Sequence, residues 1–154
     1  MNAERRQKLI DDYRGGHQAV VDALDGIRDE ELDHAAGGEW TPREIAHHLA
    51  DSEMTSAIRL RRLIAEDAPV IAGYDEALFA KALTRDRPIA PSIEAMRWAR
   101  EASLQILERL TDAEWGRKAT HEESGAYSVD TWLEIYAAHP HEHAAQIRRS
   151  RGIA

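Results

Sequence analysis

Apolar side chains recur every three to four places along almost the whole of this 154-residue chain, and no stretch sustains alternation of β-branched with polar residues. A spacing of three to four keeps side chains on one side of a helix, whereas a half-buried strand needs a period of two, so the chain is predicted to be all-α. With 43% apolar residues it has enough material for one real core, which predicts a single domain over residues 1–154.

Four long helical segments stand out. The first runs from about Ala3 to Ile27, with Leu9, Ile10, Tyr13, Val20, Val21, Leu24 and Ile27 on its apolar side, and Gly15-Gly16 predicts a bend or break in its middle. The second opens on Thr41 as N-cap, Pro42 in the first helical position and Glu44 completing a capping box, and it should run to about Glu66. Trp40, just before the cap, reads as a hydrophobic staple. A short helix capped by Asp75 is expected to about Leu83, after which Pro88 and Pro91 reopen the chain. The third long helix is expected from about Ser92 to Leu110, a polar connection from Thr111 to Tyr127, and the fourth from Ser128 onward.

Composition narrows the chemistry. There is no cysteine, so disulfides, thiolate metal sites and a cysteine nucleophile are excluded, and any metal must be held by nitrogen and oxygen. A formal charge of -8 disfavours phosphate backbones, so nucleic acid is not expected as a partner. The charged start of the chain lacks a signal-peptide pattern and no segment approaches the roughly 20 apolar residues of a membrane span, so a cytoplasmic location with no membrane partner is expected.

Five of the eight histidines fall in two clusters, His47-His48 and His139, His141, His143. Residues four apart share one helical face, so His139 and His143 can aim at a single ion, while His141 is turned to the opposite side. Both belong to the apolar stripe of the last helix, Val129, Trp132, Leu133, Tyr136 and Ile147, where an imidazole costs free energy unless its nitrogens are satisfied. On the second helix His48 lies in line with Ile45, Leu49 and Ser52, and His47 is rotated by about 100° away, so His48 is the better third ligand. Three histidines with a further position free is the pattern of a catalytic metal site. Pro140 stands between two of the three, and either kinks the helix or leaves it locally unwound.

The segment Trp40-Thr41-Pro42-Arg43-Glu44 followed by His47-His48-Leu49-Ala50-Asp51-Ser52-Glu53-Met54 resembles the start of the second helix in the DinB superfamily. Ala57-Ile58-Arg59-Leu60, Glu66 to Ile71, Tyr74-Asp75-Glu76 and the final helix from Tyr136 to Ile147 resemble its YfiT-like branch, whose members are called metal-dependent hydrolases or bacillithiol transferases. The resemblance covers about Leu24 to Arg149. It implies a four-helix bundle in which one histidine of the second helix and two of the last bind a divalent ion, roles that fall on His48, His139 and His143, and it implies homodimers. Pro140, Glu142 and Gln146 depart from the branch's histidine-rich last helix and put the ring orientation of His143 in question.

The resemblance further implies a small thiol such as bacillithiol, mycothiol or glutathione as cosubstrate, joined to an electrophile in detoxification or stress response. The nucleophile is then a thiol, or in a hydrolase a water, at the open metal position, and no side chain is assigned as catalytic. A non-enzymatic bundle whose ion supports folding is the remaining alternative. Imidazole ligands suit several metals; zinc is expected first and nickel second. Arg59 and Tyr136 are candidate substrate contacts, Arg59 for an anionic group of the thiol and Tyr136 from its place one turn before the ligand pair, and Asp51 is a candidate acceptor behind His48. The arginines at 59–62 and 148–151 read as solvated faces, and His17, His34, His47, His121 and His141 receive no role.

Overall fold

The computed structural model describes residues 1–35 and 37–153, and the four long helices are α1 (Ala3–Leu24), α3 (Pro42–Ala65), α5 (Ala90–Leu107) and α7 (Val129–Arg151). Short helices α2 (Asp29–Leu32), α4 (Glu76–Leu83) and α6 (Asp112–Trp115) lie in the connections. Each long helix packs on two others, in the cyclic order α1, α7, α3, α5, so α1 and α3 lie across the bundle from one another. This is the expected four-helix bundle. No helix is long and apolar enough to cross a membrane among the described residues.

Local chemistry accounts for the helix ends. Thr41 and Glu44 form the predicted capping box, with the Thr41 amide donating to Glu44 Oε2 at 2.8 Å and the Glu44 amide to Thr41 Oγ1 at 3.2 Å. Asp75 caps α4, accepting from the Leu78 amide at 2.8 Å. Gly152, with φ +65°, ends α7 in the left-handed conformation that glycine adopts without strain. α1 stops at Leu24 rather than Ile27, and Arg151 donates to the Ala23 and Asp25 carbonyls at its end, so that part of the basic run is a helix cap and not a solvated face. α5 begins at Ala90, earlier than expected, because Pro91 sits in its first turn where no amide is required.

The connection from Thr111 to Tyr127 also differs from expectation. It holds α6 and a hairpin of β2 (Lys118–His121) and β3 (Gly125–Ser128), and β2 adds parallel to β1 (Val70–Ile71) to make a three-stranded sheet. Gly125, with φ +78°, turns the hairpin. Four-residue strands are too short to show a period of two. The sheet matters because it lays the hairpin and the residues after β1 against the flank of α3 and α7.

The core is apolar at both ends and polar in the middle. One cluster contains Tyr13, Leu60, Leu63, Leu107, Trp132, Leu133 and Tyr136; the other contains Val20, Ile45, Leu49, Met96, Ala144 and Ile147. Between them every long helix contributes a polar or special residue: Gly16 from α1, His48 and Glu53 from α3, Arg100 from α5, and His139, Pro140 and His143 from α7.

Candidate metal centre

His48, His139 and His143 meet at one end of this polar layer. His139 Nε2 lies 3.1 Å from His48 Nε2 and 3.0 Å from His143 Nε2, and one ligand nitrogen from each ring falls within 4.8 Å of the others. Nitrogens that share one ion at about 2.0–2.1 Å lie roughly 2.9–3.4 Å apart for angles between 90° and tetrahedral, so the spacing fits a metal. The hydrogen-bond partners agree. His143 Nδ1 donates to Gln146 Oε1 at 2.9 Å, which leaves His143 Nε2 as a bare lone pair when the ring is neutral. A single His139 Nε2 cannot be donor and acceptor at once, so one hydrogen-bonding pattern cannot satisfy both of its close nitrogen contacts. Three lone pairs facing one cation remove the conflict.

Charge points the same way. Burial, with His143 alongside, holds the His48 imidazole down at about 4, and burial with His143, His48 and Arg100 nearby holds His139 at about 3. Burial also lowers His143, partly offset by Gln146. All three rings are neutral at pH 7, the state in which imidazole is a ligand.

Trp40 forms one wall. It packs against the apolar cluster that contains Ile45, and its ring also stands edge-on to His48 at 4.8 Å and parallel to His143 at 6.3 Å between centroids. Gln146, flagged in the sequence as a departure, is the group that orients His143. Asp51 is not behind His48: it faces His47 and Arg87, and burial raises its carboxyl. His47 is turned away as expected, between Ser92 Oγ at 2.7 Å and the Arg87 carbonyl at 3.2 Å, and His141 reaches the Asp12 carbonyl on the far face.

Pro140 does not unwind α7; the helix is continuous from Val129 to Arg151. Proline lacks the amide that would bond the Tyr136 carbonyl one turn earlier. Arg100 supplies the missing donors, with both terminal nitrogens 3.2 Å from that oxygen. The same guanidinium pairs with the fully buried Glu53 carboxylate and donates to the Tyr13 carbonyl. Gly16 makes the room: a Cβ there would lie 2.7 Å from Arg100 Nη2 and 2.9 Å from Pro140 Cγ. The glycine pair therefore does not break α1, and Gly16 lets α5 and α7 press against it. Glu53 and Arg100 received no role from the sequence and Gly16 was read only as a bend or break; the available signal was Pro140 itself, whose position inside a helix demands a substitute donor.

Arg59 and Tyr136, the two candidate substrate contacts, are brought together beside the centre, with Arg59 Nη1 donating to the Tyr136 hydroxyl at 2.9 Å and Nη2 to the Ala72 carbonyl at 2.7 Å. Both line a cleft of about 320 Å³ that reaches His139 and is completed by Tyr74, Glu76 and the β2–β3 hairpin. The rest of the arginine run turns elsewhere, Arg61 to the Ala57 carbonyl and Arg62 to Glu66.

Comparisons with known proteins agree with this architecture. A protein of Oceanobacillus iheyensis named "Putative metal-dependent hydrolase" is 37% identical over 123 residues, covering 79% of this chain and 71% of its own. One of the same name from Geobacillus thermodenitrificans is 32% identical over 153 residues, 97% of this chain and 85% of its own. The solved structure of YfiT from Bacillus subtilis, described as "a probable metal-dependent hydrolase with an unusual four-helix bundle topology", is similar over 100% of this chain and 91% of its own, with a TM-score of 0.92 at 26% identity. The DinB superfamily model matches residues 13–147, across α3, α7 and all three histidines, and the chain belongs to the DinB superfamily.

Proposed function

We propose that His48, His139 and His143 hold one divalent metal ion, zinc first and nickel second, and that the protein is a metal-dependent transferase joining a low-molecular-weight thiol to an electrophile. The observation that carries this is the convergence of three neutral Nε2 atoms beside an open cleft, with no carboxylate in the ligand group. An ion bound by three uncharged imidazoles keeps its full positive charge, and it would acidify a thiol or a water placed at its free position. The chain's own residues do the rest. Gln146 fixes the His143 ring, Trp40 shields His48 and His143 from water on one side, and Arg59 with Tyr136 shapes the approach from the cleft. A chain without cysteine must take its sulfur nucleophile from a cosubstrate.

A second reading, hydrolysis at the same centre, is favoured by the names of the relatives. One experiment separates the two: the metal-loaded protein is assayed for conjugation of a model electrophile with a panel of small thiols, with hydrolysis of activated esters and amides followed in parallel. Metal-dependent acceleration with a thiol is the expected result. Hydrolysis without conjugation by any thiol would overturn the transferase reading in favour of the second.

A further inference from the structure

α3 gives the cleft two side chains, Arg59 and Ser52. Arg59 is committed to the protein: its terminal nitrogens are bonded to the Tyr136 hydroxyl and the Ala72 carbonyl, and its Nε is closed to solvent. Ser52 is the opposite case. Among the described residues its Oγ makes no hydrogen bond, yet it is not one of the seven unpartnered buried side-chain atoms that are closed to solvent, so the hydroxyl opens on the cleft that it lines. The Tyr74 phenol is near enough for Ser52 to lower its pKa, and it too has no hydrogen-bond partner.

A free hydroxyl sets Ser52 apart from its neighbours on the helix. Serine and threonine inside a helix commonly turn the hydroxyl back to a carbonyl three or four residues earlier. Thr55 does so, to the Asp51 carbonyl at 2.8 Å, and Ser56 does so, to the Glu53 carbonyl at 3.0 Å. Ser52 has the His48 carbonyl in the equivalent place and does not use it. It is also only 3% exposed, so bulk water does not surround it as it would a surface serine. A buried polar atom that is uncommitted and faces a cavity is matched to what enters the cavity.

Position says what enters. Ser52 follows His48 by four residues, one turn farther along the same face of α3, and it shares the cleft with His139. A ligand that reaches the three histidines from the cleft therefore passes beside the Ser52 hydroxyl. Such a ligand presents an electron-rich atom, a thiolate sulfur or another anion, and a neutral O–H beside it adds a charge-assisted hydrogen bond.

We infer that Ser52 is a positioning residue, donating from Oγ to the ligand held at the open position of the three-histidine ion. This rests on the metal reading above and not on the choice of thiol.

Cobalt-substituted protein tests it with two probes followed in the visible spectrum, ethanethiol by its sulfur-to-cobalt band and azide by the shift of the cobalt bands. Ser52→Ala should weaken both probes by about tenfold or more, the loss of one hydrogen bond to a charged acceptor, while cobalt affinity in chelator competition stays within about threefold of the native protein. Ser52→Thr keeps the hydroxyl and should bind both probes within about threefold of the native protein. Native-like probe binding by Ser52→Ala would overturn the assignment, and so would a loss in Ser52→Thr as large as that in Ser52→Ala. A fall in cobalt affinity parallel to the fall in probe binding would mean that Ser52 only packs beside His48, and would also overturn it. A native protein that takes up no cobalt would sink the metal reading, and the assignment with it. Azide binding without ethanethiol binding would sink the thiol reading alone, with Ser52 decided by the azide series.

Discussion

The polar layer of this bundle contains two clusters within one turn of each other on α7, and they are built on opposite principles. Around Arg100 the charges close on themselves, since the guanidinium is paired with Glu53 and both terminal nitrogens are spent on the Tyr13 and Tyr136 carbonyls. Around His139 nothing closes: three imidazole nitrogens crowd together with no counter-charge and no consistent set of protons. A buried cluster whose charges are paired supports the fold, even with Arg100 Nε left without a partner, whereas three lone pairs crowded together without a counter-charge call for a cation. The two are joined through Pro140, which frees the Tyr136 carbonyl as an acceptor for the first cluster and directly follows His139 of the second.

The closed cluster carries the largest expected effect. Glu53→Ala or Arg100→Met strands a buried charge, and each should cost about 3–5 kcal/mol of stability in urea unfolding, by the same amount with and without added metal. A loss under about 1 kcal/mol would show that the pair is not what holds the layer. In the open cluster the corresponding lever is pH. His48 and His139 stay neutral in the folded protein down to about 4 and 3, while unfolded histidine takes up its proton near 6.5. The unfolded chain therefore binds more protons across that window, so the metal-free protein should be most stable above pH 6.5 and lose stability as pH falls from 6.5 toward 4. Thermal melts of chelated protein over this range check the sign; a flat profile would contradict the burial of neutral rings.

Smaller effects sharpen the contrast. Gln146→Ala frees the His143 ring and should weaken metal affinity by about 10- to 100-fold while changing metal-free stability little, as competitive chelator titration would show. Gly16→Ala forces a Cβ into Arg100 and Pro140 and should cost about 1–3 kcal/mol. Its neighbour behaves oppositely: the nearest atom to a Cβ at Gly15 is His141 Cε1 at 3.9 Å, so Gly15→Ala should stabilise the helix by about 0.5–1 kcal/mol. Equal losses at both glycines would mean that the close approach at Gly16 is not what the sequence preserves.

What could be read from the chain divides along the same line. Helical phase put His139 and His143 on one face, chose His48 over His47 and turned His141 away, because each of these depends on residues within two turns, whereas joining the two helices at one ion drew on the resemblance. The capping of α3 and α4 was legible for the same reason. The repair of Pro140 was not, since it draws a donor from α5 and a gap from α1, and nothing around Arg100 or Gly16 in sequence announces a partner 36 residues away in the one case and Pro140 itself in the other. The hairpin escaped notice because its strands are only four residues long, and with it went the wall that the hairpin gives the cleft.

The central claim is that the three imidazoles form a metal site, and metal content of the purified protein tests it most directly. Elemental analysis should find one divalent ion per chain in the native protein and close to none after His139→Ala, with circular dichroism showing the bundle intact in both. A native protein that takes up no divalent ion, or a His139→Ala variant that keeps its full complement, would contradict the account.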